Sequence, residues 1–418
     1  MAEATAGEVL GLRLRRETPA VLHAEVRGWA YFDGPSGTQM ISSAIDTMAG
    51  QARTGLSNRH GFSPAGDETE DAIAHARAAL AALFRADGYH VVFGQNMTSL
   101  AFSLGHAFAR QRGGENVAVV VTELEHAANV DAWVQPFADK GGHTSWIRVD
   151  PETFELRGED LDEAGAGQAV AIVAATAAAN AVGAVPDLER VRTLARATGA
   201  IFVVDAVHAV PHTPPDLMEL DADVLLCSGY KFYGPHVGVA LVRATLADEL
   251  PVFKVRPAPE RGSERLETGS QNHEGIAALG ATIEALARLA GRSGGAGARH
   301  TLSCLGDWEA TLGERLVAGL RSIPSVRVFG HAEGKGTDVA TVAFNIHGRA
   351  PAEVAAALRR QGIFVTAGDF YATALASRTG VAETGGWVRA GIAGYTSEGE
   401  TDQLVAAVAA IAGGQGLP

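Results

Sequence analysis

Short runs of branched apolar residues alternate with longer amphipathic stretches through the middle of this chain. "HVVFG" (90–94), "NVAVVVTE" (116–123), "AVAIVAA" (169–175), "AIFVVDA" (200–206) and "DVLLCS" (223–228) lack the polar alternation of a half-exposed strand and read as strands buried on both faces. Between them, "TEDAIAHARAALAALFRA" (69–86) and "DLERVRTLARATG" (187–199) repeat apolar residues at the helical period. Strands alternating with helices predict an α/β fold, a three-layer and mostly parallel sheet with right-handed crossovers. "GVALVRA" (238–244) is a further strand, with the antiparallel direction open to it.

A helical stretch, "EGIAALGATIEALARLAG" (274–291), leads into "GRSGGAGAR" (291–299), the most flexible composition in the chain, so the main domain boundary is expected there. The helical and strand-like runs beyond it predict a smaller α+β C-terminal domain. The expected units are an N-terminal segment (1–30) packed on the small domain, a large domain (31–290) and the small domain (291–418).

Composition narrows the partners. With 47% hydrophobic and 20% charged residues the chain has the makeup of a soluble globular protein with a large core. A formal net charge of −14 argues against nucleic acid or an anionic membrane as the main partner. The two cysteines, Cys227 and Cys304, form no C-x-x-C pair, which disfavours a disulfide framework and a thiolate metal site. The first twenty residues show no signal-peptide architecture, and the apolar run 169–185 is interrupted by Thr176, Asn180 and Gly183, as in a strand entering a loop. A cytoplasmic location is expected.

Ligands of open parallel sheets bind beyond the carboxyl ends of the strands, and here those ends carry chemistry. "LLCSGYKFYGP" (225–235) runs from an apolar strand into a lysine boxed by small, aromatic and turn residues. Lys231 is either an ordinary loop lysine or an amine whose pKa is depressed into nucleophilic range. "GQNMTSL" (94–100) enters a helix, where backbone amides from Met97 onward and the Thr98 hydroxyl suit a phosphate, although a capping threonine explains the same residues. His126, in "ELEHAANVDAW", reads as a metal ligand, a capping histidine or a ring stacked on a flat cofactor; no second ligand stands at i+3 or i+4, which sets the metal aside. Asn180 and Asp205 end apolar runs and need partners, with His208 three residues after Asp205 and Ser228 three before Lys231.

Together these are the parts that hold pyridoxal 5′-phosphate. Lys231 is expected to form the Schiff base, and Asp205 to keep the pyridine nitrogen protonated; a carboxylate at about 4 Å is worth roughly 4 kcal/mol at an effective dielectric of about 20. His126 would cover one ring face, Asn180 and His208 would bond the phenolic oxygen, and Met97, Thr98 and Ser228 would hold the phosphate.

The chain resembles the cysteine desulfurase and isopenicillin N epimerase group of the class V aminotransferase family, fold-type I pyridoxal-phosphate enzymes, over nearly its whole length. The matching segments are "YFDGPSGTQ" (31–39), "EHAAN", "NAVGAVPD", "VDAVHAVPH", "SGYKFYGP", "ETGSQN" (267–272) and "VRAGIAGYTSEGETDQL" (388–404), all collinear. The resemblance implies a homodimer with active sites at the interface, Ser270 reaching the neighbouring protomer's phosphate. It implies that Arg389 grips the substrate carboxylate.

Desulfurases of this group carry a mobile persulfide cysteine in a loop matched here by "VTAGDFYATAL" (365–375), where Asp369, Phe370 and Tyr371 stand instead. Thr366 replaces the group's usual second arginine, Tyr230 a common histidine, and His208 a common glutamine. The chain looks like the "cysteine desulfurase-like" branch with "GDFYA" and "GYTSEGE"-type motifs. The expected activity is a C–S β-lyase on cysteine or an S-substituted cysteine, yielding thiol, pyruvate and ammonia without an enzyme persulfide, with Tyr371 and Asn180 near the substrate. The alternatives are transamination, epimerisation or decarboxylation coupled to deamination, and, from another class, a cofactor-binding protein without turnover.

Overall fold

The computed structural model describes residues 5–55, 58–59, 62–331 and 339–414, so the extreme ends of the expected N-terminal and C-terminal units lie outside the described residues. Two helices, Ala6–Arg16 and Pro19–Val26, precede a two-residue strand β1 (Ala30–Tyr31). The strands that follow are β2 (Tyr89–Gly94), β3 (Val117–Thr122), β4 (His143–Ile147), β5 (Ala169–Thr176), β6 (Ile201–Asp205), β7 (Val224–Ser228) and β8 (Gly238–Arg243). They form one sheet in the order β2-β8-β7-β6-β5-β3-β4. β8 runs antiparallel to β2 and β7, while every other pairing is parallel, as the apolar runs predict. β4 is missing from the expectation because it is a half-exposed edge strand, "HTSWI", without a continuous apolar run.

The two-residue period of each strand sorts its side chains between two helical layers. From β3, Val119 and Val121 meet Leu104 and Phe108 of the helix Met97–Arg112 and Trp133 of the helix Ala128–Ala138. Ala118 and Val120 lie on the opposite face, in the cluster that holds Leu80 and Leu83 of Pro64–Phe84 and Leu279 and Leu286 of His273–Leu289. Each such fully buried leucine or valine contributes roughly 1.5–3 kcal/mol. The helix Leu188–Thr198 shows how local chemistry sets its ends. Asp187 accepts the N–H groups of Glu189 and Arg190, and Gly199 takes the left-handed conformation (φ 68°) that ends the helix.

A second sheet contains β9 (Val326–Phe329) and β10 (Thr341–Ile346). After β11 (Ile363–Phe364), which pairs with β1, come β12 (Thr366–Gly368) and β13 (Trp387–Gly391), giving the order β12-β13-β10-β9. Its core packs Val342 and Phe344 against Leu312 and Leu316 of the helix Gly294–Arg321 and Leu404 and Val408 of Glu398–Ala412. The N-terminal helix lies against the same long helix, where a Cβ on Gly7 would meet Cys304 O at 2.3 Å, and Arg15 pairs with Glu400 at 3.0 Å.

One expectation is corrected. The glycine-rich stretch 291–299 is no flexible linker, because the 28-residue helix begins at Gly294 inside it. Its glycines serve close packing: a Cβ on Gly295 would lie 2.1 Å from Ala79 O and 2.4 Å from Leu83 N. Glycine costs a helix about 1 kcal/mol in propensity, and here it lets two helix backbones touch.

Candidate active site

The carboxyl ends of the parallel strands, the turn at 33–37 and a loop after β12 enclose a cavity of about 320 Å³. β7 delivers Ser228, and the 3₁₀ turn Gly229–Lys231 swings the lysine inward, with Lys231 only 8% exposed. Its ammonium donates to the Pro35 carbonyl and sits 5.1 Å from the centre of the Tyr230 ring. Burial, then the Arg389 charge, pushes this amine down to about 7, with Asp205 opposing. A large fraction is therefore the free, nucleophilic amine at neutral pH.

Asp205 ends β6 in register with Thr176 of β5. Its carboxylate accepts the Val207 N–H (2.8 Å) and, among the described residues, forms no ion pair. Burial raises it to about 6, against the Val207 hydrogen bond and the Lys231 charge. His126 Nδ1 accepts the Ala128 N–H (3.0 Å), and burial, with the charges of Lys231 and Arg389, lowers the ring to about 4. It is a neutral ring at the cavity wall. Its neighbour Glu125 turns away, bonded by the Thr122 hydroxyl, Asn129 Nδ2 and Thr176 N–H, so the pair does not form a metal site.

His208 and Asn180 both line the cavity. His208 Nε2 lies 2.9 Å from Thr341 Oγ1. Asn180 Nδ2 donates to Phe370 O (3.0 Å), and its Oδ1 is buried with no hydrogen-bond partner among the described residues. At the other end of the cavity, Asn96, not Thr98, caps the helix Met97–Arg112 by accepting the Ser99 N–H (2.8 Å). Thr98 is thereby free for a ligand, alongside Met97 and the first-turn amides. The whole turn rests on β8 at a glycine: a Cβ on Gly238 would stand 2.2 Å from Asn96 C and 2.5 Å from Met97 N. Ser228 lies directly across the ladder from Gly238. Of the residues selected from sequence, Ser270 alone is absent from this cavity, being in an exposed turn.

Arg389 of β13 closes the side facing the second sheet. Three of its five N–H groups are held, by Thr366 Oγ1 (3.3 Å), Asn180 O (2.8 Å) and Ser36 Oγ (2.8 Å), leaving two for a carboxylate. Burial lowers it to about 9, with Asp33 opposing. The loop after β12 folds over the opening. Phe370 and Tyr371 both have positive φ (57° and 60°), an unfavourable pair for aromatic side chains. Their carbonyls are latched, Phe370 O by Asn180 and Tyr371 O by the Ala127 N–H (2.8 Å). The Tyr371 ring meets that of His126 at 5.3 Å.

Sequence reasoning missed Pro35, Ser36 and Phe370 as cavity residues. The turn "DGPSG" was the available signal for the first two. Neither cysteine lines the cavity. Cys227 is buried within β7, its thiol pushed well up by burial, and Cys304 lies on the long helix beside His300 (3.8 Å).

The residues fit pyridoxal phosphate: a buried amine, a buried acid in no ion pair among the described residues, a neutral flat ring, an amide whose oxygen has no partner among them and a helix N-terminus on a glycine floor. Residues 30–404 match the family described as aminotransferase class-V. An uncharacterized protein of Mycobacterium tuberculosis (strain CDC 1551 / Oshkosh) is 30% identical over 389 residues, covering 92% of this chain and 96% of that one. A cysteine desulfurase of Serratia proteamaculans (strain 568) is 27% identical over 413 residues, covering 94% and 96%. Among solved structures, the apo cysteine desulfurase from Thermococcus onnurineus NA1 superposes with a TM-score of 0.85 at 23% identity over 99% of both chains, a likeness of fold. A backbone of that shape, a match spanning most of the chain and a cavity built around Lys231 lead to one conclusion: the chain belongs to the class-V aminotransferase family of fold-type I enzymes, whose cofactor is pyridoxal 5′-phosphate.

Proposed function

We propose that this protein is a C–S β-lyase acting on cysteine or an S-substituted cysteine, which with one water gives thiol, pyruvate and ammonia without an enzyme persulfide. The observation that carries the reading is the loop over the cavity. It presents Asp369, Phe370 and Tyr371, is latched by two hydrogen bonds, and has no cysteine within the cavity to receive sulfur. A thiolate leaves Cβ readily, so no sulfur-accepting nucleophile is required.

Bound pyridoxal phosphate supplies an electron sink for the bonding pair released at the substrate Cα. The protein's residues do the rest. Asp205 would hold the proton on the ring nitrogen, and His126 would cover the ring. Asn180 and His208 would bond the phenolic oxygen, while Met97, Thr98 and Ser228 would hold the phosphate. Arg389 would grip the carboxylate through its two uncommitted N–H groups, and so set which Cα bond is aligned for cleavage. Lys231, poised near neutrality, takes the Cα proton. Tyr371, at the mouth and 68% exposed, meets the departing sulfur. Ser270, exposed on a single chain, is proposed to reach the phosphate of a second protomer, making the working form a homodimer in the cytoplasm. The division at 1–30, 31–290 and 291–418 belongs to the same proposal.

The test is direct. Cofactor-loaded protein is offered cysteine and a panel of S-substituted cysteines, and pyruvate is measured; no pyruvate from any of them overturns the proposal. One observation favours a second reading. With Thr366 where a second arginine is usual, Arg389 alone would hold the carboxylate, a looser grip that keeps decarboxylation coupled to deamination open, while transamination and epimerisation draw on the same cofactor set. Mass spectrometry of products formed in deuterated water separates these, because epimerisation exchanges the α-hydrogen and keeps the amine.

A further inference from the structure

Behind His208 lies a chain of buried polar groups that the reaction above leaves unused. His208 Nε2 meets Thr341 Oγ1 at 2.9 Å, and its ring packs edge-to-face on His212 at 5.2 Å. His212 Nδ1 is 2.5 Å from Glu309 Oε2, and the Tyr233 hydroxyl donates to the other Glu309 oxygen at 3.4 Å. That hydroxyl in turn accepts the Gly394 N–H (3.0 Å). Glu309 is 1% exposed and Thr341 fully buried. The side chains come from four separate places: the turn after β6, the turn after β7, the helix Gly294–Arg321 and β10.

A buried glutamate–histidine pair is an expensive way to fill a core, since an apolar pair of equal volume is usually as stable. This one supports the residue at the cavity wall. A neutral imidazole has one donor and one acceptor nitrogen, and the partner of one decides the role of the other. With Nε2 taken by the Thr341 hydroxyl, Nδ1 is the nitrogen left for the cavity. The charged groups facing His208 are Lys231 and Arg389 from the cavity side and His212 from behind. All three oppose a proton on its ring, after burial, the largest cause, which holds it well below the usual histidine range.

We propose that Thr341 and the Glu309–His212 pair are positioning residues that fix the orientation and tautomer of His208, so that its Nδ1–H is the donor offered to the phenolic oxygen of the cofactor. The Thr341 hydroxyl donates to Nε2, and His212, anchored by Glu309, walls the ring from behind. This rests on the reading that the cavity holds pyridoxal phosphate. A donor on the phenolic oxygen draws charge from it and loosens its hold on the proton of the neighbouring nitrogen that joins Lys231 to the cofactor. Losing the donor tightens that hold.

The experiment is a pH titration of the visible absorbance of the cofactor-loaded protein, with no substrate present. Thr341→Val is expected to raise the chromophore's midpoint by about one pH unit, a roughly tenfold change in proton affinity, and Thr341→Ser to restore it. Glu309→Gln shifts it in the same direction by less. In a His208→Gln background, whose amide always offers an N–H, Thr341→Val moves nothing. If valine fails to fold, Thr341→Ala, which only removes atoms, takes its place. An unmoved midpoint in the Thr341 variant, or an equal shift with and without His208, overturns the proposal. A wild-type protein that forms no chromophore, or one that persists in Lys231→Ala, overturns the reading of the cavity itself and this inference with it.

Discussion

The guanidinium of Arg389 lies on the ring of Phe370, its central carbon 3.9 Å from the ring centre. This contact joins the small sheet to the loop that covers the cavity, and holds flat the group proposed to bind the substrate carboxylate. A desolvated cation–π contact is worth about 0.5–2 kcal/mol. Phe370→Ala is therefore expected to lower kcat/KM for the amino acid by roughly 2- to 30-fold, mostly through KM. Steady-state kinetics check this; unchanged KM would mean that the ring does not orient the arginine.

Burial, then the Arg389 charge, pushes the Lys231 amine from the ordinary 10.5 down to about 7. In cofactor-free protein its acylation by a small reagent, followed by peptide mass spectrometry, should rise with pH to a midpoint close to 7. Asp205 works against this depression, since its charge favours the ammonium. Asp205→Asn should move the midpoint lower still, and a midpoint that rises contradicts the assigned electrostatics.

Glu125 is pushed up to about 8 by burial, against hydrogen bonds from Thr122, Asn129 and the Thr176 N–H. The folded chain thus keeps a proton that the unfolded chain releases near 4.5. A raised folded value contributes stability below about 4.5, which is lost as pH rises through about 8. Denaturant unfolding of cofactor-free protein should show wild type losing stability relative to Glu125→Gln across that window. Parallel profiles would exclude a protonated Glu125.

Gly238 is the floor under the phosphate end. An added methyl would collide with backbone atoms of Asn96 and Met97, at 2.2 and 2.5 Å, which cannot swing aside as a side chain does. Such overpacking costs about 1–3 kcal/mol. Gly238→Ala is expected to keep the fold by circular dichroism and to weaken cofactor retention about tenfold or more, measured by absorbance after dialysis.

Much of this arrangement was legible in the chain because strand ends are one-dimensional landmarks. Met97, Thr98, His126, Asn180, Asp205, His208, Ser228 and Lys231 each follow an apolar run, and a parallel sheet gathers the ends of such runs on one edge. Pro35, Ser36 and Phe370 do not follow such runs. Their place in the cavity comes from a turn and a loop brought in by the second sheet, and no local period encodes that approach.

Residue order alone therefore determined the parallel sheet, its helical layers and the placing of Lys231 and Asp205 at neighbouring strand ends, since burial patterns and strand ends are local properties. Tertiary structure decided what depends on which surfaces meet. It turned a glycine-rich stretch into a helix, because Gly295 allows backbone contact with Ala79, where composition alone suggests slack. It laid Phe370 on Arg389, and it set Thr341, His212 and Glu309 behind His208. The Thr341–His208 and Glu309–His212 contacts join residues 133 and 97 positions apart, and no local period in the chain encodes their meeting.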